Sequence, residues 1–393
     1  MLTIEKIIHA QRVLEEAIFK TDVVRTSNFI DGYELYLKAE NLQKTGSFKI
    51  RGAYYKISRL SDEEKKRGVI ACSAGNHAQG VALAAQKNGI PALICLPEGA
   101  PISKVEATRS YGAELCLVPG VYDDAYNRAI ELKEERGLTF IHPFDDEDVI
   151  AGQGTIGLEI LQQVKDIDAV VVPVGGGGLI SGVAFAVKSM NPKVQVYGVQ
   201  ASGAASMVTS LHDHKIECLP SVSTIADGIA VKQPGPLTFE YCSRYVDDIV
   251  TVTDEEICAA ILALIEKRKM IAEGAGATPV AAIMAGKLPQ LKGKKVCCVV
   301  SGGNIDVTIL SRVIQRGLAP STSNFWTSPG SSSPFRRSLQ NAARTSWAFT
   351  TNTRTRAAKS SGATCASTWK RATSITSPRS KRRSRTPDSN FAE

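Results

Sequence analysis

The sequence predicts an α/β protein with two open twisted sheets flanked by helices, followed by a disordered basic C-terminal tail. Three observations carry this. Short apolar, β-rich runs alternate with helical patterns through most of the 393 residues; the motifs with chemical character fall into two separated groups; and the composition changes abruptly near residue 318. Such alternation is the mark of βαβ units and of parallel sheets covered on both faces.

The chain opens with MLTIEKIIHAQRVLEEAIFK, which mixes acids and bases at helical spacing and holds no uninterrupted apolar stretch. It reads as the N-terminal helix of a mature cytoplasmic chain without a signal peptide. Strands are expected at 68–74 (GVIACSA), 91–97 (PALICLP), 113–119 (AELCLVP), 168–174 (DAVVVPV), 194–200 (VQVYGVQ) and 295–300 (KVCCVV). Between them HAQGVALAAQKNG and KVEATRSYGA read as helices that end near a glycine. No apolar run reaches the roughly 18 residues of a membrane span. Nine cysteines are present, no two in CxxC spacing, and most sit in apolar runs, which is the usage of a reducing compartment. Cys297 and Cys298 are adjacent, so on one strand they face opposite sides and make a poor metal pair.

Residues 318–393 hold 13 of the 47 Lys and Arg but only 2 of the 39 Asp and Glu, a net +11 that leaves residues 1–317 at −3. The overall +8 therefore belongs to the tail, and the body has no basic surface that would suggest nucleic acid. With 28 Ser or Thr among its 76 residues and the run SPRSKRRSRTP, the tail has the composition of disordered sequence.

Four motifs carry chemistry. DAVVVPVGGGGLISGVAFAV sets Gly175, Gly176, Gly177 and Gly178 between a buried strand and an apolar helix. Backbone N–H groups converge there without interference from Cβ atoms, and the helix N-terminus adds positive potential, so the turn suits a phosphate dianion. It is neither a P-loop nor a GxGxxG turn, because no Gly-Lys-Ser/Thr follows and Ile180 and Ser181 occupy the third-glycine positions. A purely structural turn is the competing reading. ACSAGNHAQGVALAA ends a strand in Ser73, Ala74, Gly75 and Asn76 and opens a helix at His77, at the sheet edge where α/β proteins bind ligands. Asn76 equally suits a helix cap, and the residues alone leave both readings open. KKVCCVVSGGNID ends another strand in Ser301, Gly302, Gly303 and Asn304, and MIAEGAGATPVAA puts Glu273 before small residues that permit close backbone approach. In GSFKIRGA, Lys49 stands among small neighbours with Arg51 two residues on. A lysine near cationic or desolvating groups has a depressed pKa and can form a Schiff base with an aldehyde; an aldehyde that also carries a phosphate is pyridoxal phosphate.

GSFKIRGA, SAGNHAQGVA, HPFDDEDVIAGQGTIGLEIL, PVGGGGLISG, TIADGIAV and VSGGNID, in this order, resemble the fold-type II (tryptophan synthase β-like) pyridoxal-phosphate enzymes, and closely the serine/threonine dehydratases. The resemblance covers residues 1–317 and implies a large cofactor-binding domain (1–40 and 143–317) and a small domain (41–142). It implies that Lys49 forms the Schiff base with pyridoxal 5'-phosphate and that Gly175, Gly176, Gly177, Gly178 and the Leu179 backbone hold the phosphate. Asn76 is then the partner of the 3′ oxygen and Ser301 of the pyridine nitrogen, with Phe48 and Glu273 beside the cofactor. Ser73, Ala74, Gly75, Asn76 and His77 wrap the carboxylate of a small amino-acid substrate. A homo-oligomer, dimer or tetramer, is also implied, with no membrane and no nucleic-acid partner.

The reaction so implied is dehydration and deamination of L-threonine to 2-oxobutanoate and ammonia, with L-serine to pyruvate as a companion. The expected base for the Cα proton is Lys49, and a neutral hydroxyl at Ser301, where an acid would deepen the electron sink, suits elimination. Serine racemases of this fold resemble SSGNH at the loop that here reads SAGNH, and Ala74 can move no proton, so racemisation is the weaker reading. Cysteine synthases show SVKDR and TSGNTG, a poorer match. A rival from another class is a non-catalytic protein whose Gly-rich turn holds a nucleotide or phosphate regulator while the tail contacts nucleic acid. His212, Asp213 and His214 read as a solvated helix end, and no metal site is expected; Asp227 matches a stretch near a cation site in some relatives, with no further ligands assignable. Relatives that continue past an RGL-like sequence carry a small βαββαβ regulatory (ACT) domain. Here RVIQRGL is followed by a tail too poor in Val, Ile and Leu to build that core, and a frameshift near residue 318 accounts for it.

Overall fold

The computed structural model describes residues 1–26 and 29–318. The strands among them are β1 (Val23–Thr26), β2 (Glu34–Ala39), β3 (Val69–Cys72), β4 (Ala92–Pro97), β5 (Glu114–Val118), β6 (Thr139–Phe140), β7 (Ala169–Pro173), β8 (Gln195–Ala201), β9 (Asp248–Val252) and β10 (Lys295–Val300). One sheet runs β1-β2-β10-β7-β8-β9 and the other β5-β4-β3-β6. Only β1 against β2 is antiparallel; every other pairing is parallel.

All six expected runs form strands: five are apolar stretches buried in the middle of a parallel sheet, and β5 is a partly exposed edge strand. β1, β2, β6 and β9 are additions. β1, β6 and β9 are sheet edges paired on one side, β6 has only two residues, and β2 reads ELYLKA, in which Glu34 and Lys38 interrupt the apolar pattern. The N-terminal helix spans Ile4–Leu14, shorter than the periodicity suggests, and starts where Thr3 Oγ1 accepts from the Lys6 N–H. The helices Asn76–Asn88 and Ile102–Ser110 lie where expected, each followed by a glycine at positive φ, Gly89 and Gly112. Apart from Leu318, which ends the helix Val307–Leu318, the expected tail lies outside the described residues. Among the described residues no helix is long and apolar enough to cross a membrane.

Each sheet reverses its strand order once. In the larger sheet the chain steps outward through β7, β8 and β9 and then returns to place β10 on the other side of β7. In the smaller it steps from β3 to β4 and β5 and returns to place β6 beside β3. Connections leave in opposite directions at such a point, which opens a crevice beyond the carboxyl ends of the two strands. Ser301 follows β10 and Gly175 follows β7; Ser73 follows β3, and Ile141, His142 and Pro143 follow β6.

The helix Lys49–Ser58 joins the two crevices. It packs on the helix Glu147–Gln163 so closely that a Cβ on Gly152 would lie 2.6 Å from the Arg51 carbonyl oxygen and 2.7 Å from Gly52 Cα. The helix is also pinned by a buried charge cluster. Arg51 donates from Nε and Nη2 to the two Glu40 oxygens, each at 2.8 Å, and from Nη1 and Nη2 to the Glu159 oxygens at 2.7 and 2.9 Å. Lys38 Nζ, on β2, donates to Glu159 Oε2 and to the Thr21 carbonyl, each at 2.6 Å. Burial pushes the Glu40 carboxyl up, but Arg51 at bidentate distance outweighs it and holds the group below its ordinary value. Two cations and two carboxylates balance, and removing one leaves an uncompensated buried charge. Arg51→Met is therefore expected to lower the unfolding free energy by about 3–5 kcal/mol. Chemical denaturation checks this, and an unchanged midpoint would contradict the role given to the cluster.

Candidate active site

Lys49 is the first residue of its helix, and its Nζ donates to the Pro143 carbonyl at 2.7 Å, 5.3 Å from the centre of the Phe48 ring. Burial lowers its amine to about 8, against the pull of the nearby Glu273 carboxylate. Arg51 contributes nothing to this shift. Two residues along a helix turn the side chain through roughly 200°, so Arg51 faces the buried cluster while Lys49 faces the crevice.

Three turns interlock around that amine. Ser47 and Gly302 form a β-bridge, the Phe48 N–H donates to the Ser301 carbonyl at 3.0 Å, and the Gly303 N–H donates to the Gly46 carbonyl at 2.9 Å. The Glu273 N–H donates to the Gly302 carbonyl at 3.0 Å. Glu273 precedes the helix Gly274–Met284 but caps nothing with its side chain; its two oxygens accept from Asn76 Nδ2 at 2.8 and 3.1 Å. Burial pushes the Glu273 carboxyl up to about 7, with Asn76 pulling the other way. Asn76 is not the helix cap either. Gly75 holds that position, and Asn76 lies one residue inside with both ends of its amide bonded across the crevice.

Ser73 Oγ accepts from the Gly75 N–H at 3.1 Å, and open space lies beside Gly75, where a Cβ would meet nothing within 4 Å. Ala74 packs its methyl at the edge of the smaller core. His77 does not offer its ring to a ligand. The ring is 3% exposed and bonded through Nε2 to the Ile141 carbonyl at 2.8 Å, and burial, helped by Lys49, lowers it to about 3, so it is a neutral donor to that oxygen. What His77 presents is its backbone N–H, which with that of Asn76 finds no acceptor among the described residues.

The Gly-rich turn is shaped from outside. Thr238 Oγ1 donates to the Gly176 carbonyl at 2.6 Å, the Thr238 N–H donates to Asp145 Oδ1 at 3.0 Å, and the Asp145 N–H donates to His142 Nδ1 at 2.7 Å. Gly177 sits at φ +97°, and a Cβ on Gly176 would strike the Phe144 ring at 2.5 Å. Within residues 175–180 no backbone N–H donates to a described residue, although residues 176–180 are buried. Buried N–H groups are ordinarily paired, and these five, at and just before the start of the helix Gly178–Met190, suit a dianion.

Pro143, Phe144, Thr238 and Asn304 were not singled out as site residues by sequence reasoning. Pro143 and Phe144 act through a carbonyl and through steric shape, which no motif chemistry announces; Asn304 was visible at the end of SGGN but reads there as turn. His212 and Asp213 pair at the exposed end of the helix Ser206–His212, and Asp227 accepts from Lys104 Nζ at 2.8 Å. Among the described residues no group of three or more His, Cys, Asp or Glu is arranged to hold a metal.

A depressed lysine, a seat for a phosphate and polar strand ends around one crevice define a protein that holds an aldehyde-bearing phosphate ester. Residues 14–302 match the family of pyridoxal-phosphate dependent enzymes, and the chain belongs to that family. Among its relatives, L-threonine ammonia-lyase of Thermotoga maritima is 56% identical over 323 residues, 82% of this chain and 80% of that protein. The catabolic L-threonine dehydratase of Escherichia coli is 47% identical over 315 residues, 79% of this chain and 96% of that one. Among solved structures, processed threonine deaminase isoform 2 of Solanum lycopersicum aligns with a TM-score of 0.77 at 40% identity, covering 80% of this chain and 93% of that one. Maize serine racemase aligns at 0.76 and 38%, covering 81% and 98%.

The residues present fit the family's cofactor: a depressed amine answers its aldehyde and the orphaned N–H groups answer its phosphate. Below about pH 8 the Lys49 amine carries a proton and has no lone pair to offer; above it the amine is free. In protein stripped of cofactor, the rate of Schiff-base formation with added pyridoxal phosphate is expected to rise with pH, reach half its maximum near pH 8 and level off above it. Stopped-flow absorbance checks this, and a rate still climbing through about pH 10, as for a solvent-exposed lysine, would contradict it.

Proposed function

We propose that this chain is an ammonia-lyase that dehydrates and deaminates L-threonine to 2-oxobutanoate and ammonia, with Lys49 as its covalent anchor and base. The observation that carries the reading is the Lys49 amine, lowered to about 8 and held at the Pro143 carbonyl after β6, with its neighbour Phe48 bonded to Ser301 after β10. The relatives' names supply the substrate. Bound here, pyridoxal phosphate supplies an electron sink for negative charge at the substrate Cα. Lys49 would be its attachment point, with Phe48 beside the amine; the N–H groups of Gly175, Gly176, Gly177, Gly178 and Leu179 would hold the phosphate, Asn76, backed by Glu273, the ring oxygen and Ser301 the ring nitrogen.

Each remaining role is carried by the protein's own groups. The free N–H groups of Asn76 and His77, with the Ser73 hydroxyl and the open space at Gly75, receive the substrate carboxylate at a helix N-terminus. Lys49 Nζ removes the Cα proton; burial lowers the amine to about 8, so the free form a general base needs is reached closer to neutral pH than for an exposed lysine. Ser301 is a neutral hydroxyl and adds no charge at the ring nitrogen, which favours loss of the β-hydroxyl over a long-lived carbanion. Ala74 bears no exchangeable proton, so the loop offers no side-chain acid there to return hydrogen to Cα in the opposite configuration. This separates the reading from racemisation despite the likeness to serine racemase.

Threonine and serine differ by one methyl group, which a pocket distinguishes by only about 1–3 kcal/mol, so L-serine is a second substrate, yielding pyruvate. The same proposal includes a small domain, 41–142, working against a large one, 1–40 and 143–317, in a homo-oligomer. The smaller sheet comes wholly from the first range and the larger from the second, with Lys104–Asp227 and Asp123–Lys232 ion pairs crossing between them.

The purified holoenzyme is expected to release equal amounts of ammonia and 2-oxobutanoate from L-threonine. Lys49→Ala should lose at least about 10³-fold in turnover together with the visible Schiff-base band, while its unfolding midpoint stays near wild type. A variant that keeps the band, or an intact holoenzyme inert toward both amino acids, would overturn the proposal.

A further inference from the structure

Asn304 closes the turn after β10 and touches two of the site's turns at once. Its Nδ2 donates to the Thr45 carbonyl at 2.7 Å and to Asn76 Oδ1 at 2.8 Å. A backbone carbonyl can only accept, so the Thr45 contact fixes which end of the Asn304 amide is nitrogen. The same nitrogen faces Asn76, so the Asn76 atom opposite it must be oxygen. The Asn76 nitrogen is thereby turned toward Glu273, whose oxygens accept it at 2.8 and 3.1 Å. The chain of amides has one sense, and it is set by the carbonyl of Thr45 through Asn304.

The second contact bears on Lys49. Thr45 is β-branched yet sits at φ +65°, and Gly46 follows at +69°, with a hypothetical Cβ overlapping Asn304 Oδ1. A left-handed β-branched residue is strained and persists only where its surroundings hold it. Here the hold is the Asn304 bond to its carbonyl, together with the Gly303 N–H to Gly46 bond. The turn so held runs directly into Ser47, Phe48 and Lys49.

We propose that Asn304 is a positioning residue: it fixes the orientation of the Asn76 amide and, through Thr45, the turn from which Lys49 enters the crevice. This rests on the reading that Asn76 faces the cofactor. The test uses the holoenzyme of wild type, Asn304→Ala, Asn304→Ser, Asn76→Ala and the Asn76→Ala/Asn304→Ala double variant. The pH midpoint of the bound cofactor's visible band and the dissociation constant for pyridoxal phosphate are measured for each.

Asn304→Ala is expected to weaken cofactor binding about 3- to 10-fold, the worth of one hydrogen bond, and to move the band's midpoint. Asn304→Ser, which keeps one donor, recovers part of both. In the Asn76→Ala background the Asn304 change costs less than in the wild type, because only its Thr45 contact is then left to lose. Equal fold-changes in the two backgrounds would show that Asn304 does not act through Asn76 and would overturn the proposal, as would an Asn304→Ala holoenzyme with wild-type midpoint and affinity. If Asn76→Ala itself moves neither quantity, the orienting role fails, while loss of the band in Lys49→Ala leaves the proposed function standing. Should Asn304→Ala not fold, the Asn304→Ser pair carries the same comparison.

Discussion

The buried cluster of Arg51, Glu40, Glu159 and Lys38 is the constraint on which the site rests. It draws β2, the helix Lys49–Ser58 and the helix Glu147–Gln163 onto one set of charges, and Thr21 adds a hydroxyl to Glu40 and a carbonyl to Lys38. Burying four charges is costly, and such clusters persist where geometry is exact enough to satisfy them. Its effect on the site is angular. Because Arg51 is locked on one side of the first helical turn, Lys49, two residues earlier, is turned to the other. A lysine on a flexible loop would search many orientations; this one leaves its helix in a direction set by a bidentate guanidinium on the far side.

The second constraint is topological. Ligand crevices form where strand order reverses, and here each sheet has one reversal. The larger sheet contributes Ser301 and the Gly-rich turn from adjacent strands, so these two turns are neighbours by register. The smaller contributes SAGNH after β3 and the Pro143 carbonyl after β6. The bonds from Asn76 to Glu273 and from Asn304 to Asn76 run between groups that follow strands of the two sheets, which joins the two half-crevices.

How much of this was legible depends on whether a residue's role is written in its own neighbourhood. The strands buried on both faces were, because continuous apolar runs such as AVVVP have few other uses; so were the four glycines and Lys49. Three of the four edge strands were not, since β1, β6 and β9 are short or half-paired, although the edge strand β5 was, and β2 hides behind Lys38, whose charge is tolerable only because Glu159 lies 121 residues away. Arg51 misled for the same reason. Its nearness to Lys49 in sequence suggests a cation that depresses the amine, yet the depression comes from burial while Arg51 serves partners on β2's exit and the helix Glu147–Gln163. His77 was legible as a member of the loop but not as a side chain turned away to Ile141.

Electrostatics within the crevice follow one rule: burial is the leading cause of the shift at Lys49, at Glu273 and at His77, and in each it disfavours the charged form. The result differs with chemistry. His77 is held neutral and becomes a fixed donor, of no use for moving protons near neutral pH. Lys49 and Glu273 are pushed toward each other, the amine down to about 8 and the carboxyl up to about 7. An exposed lysine and glutamate would stand some six units apart, and a proton taken up by such a lysine would stay there. Burial thus leaves the Lys49 amine able to take up and give up a proton closer to neutral pH than an exposed lysine can.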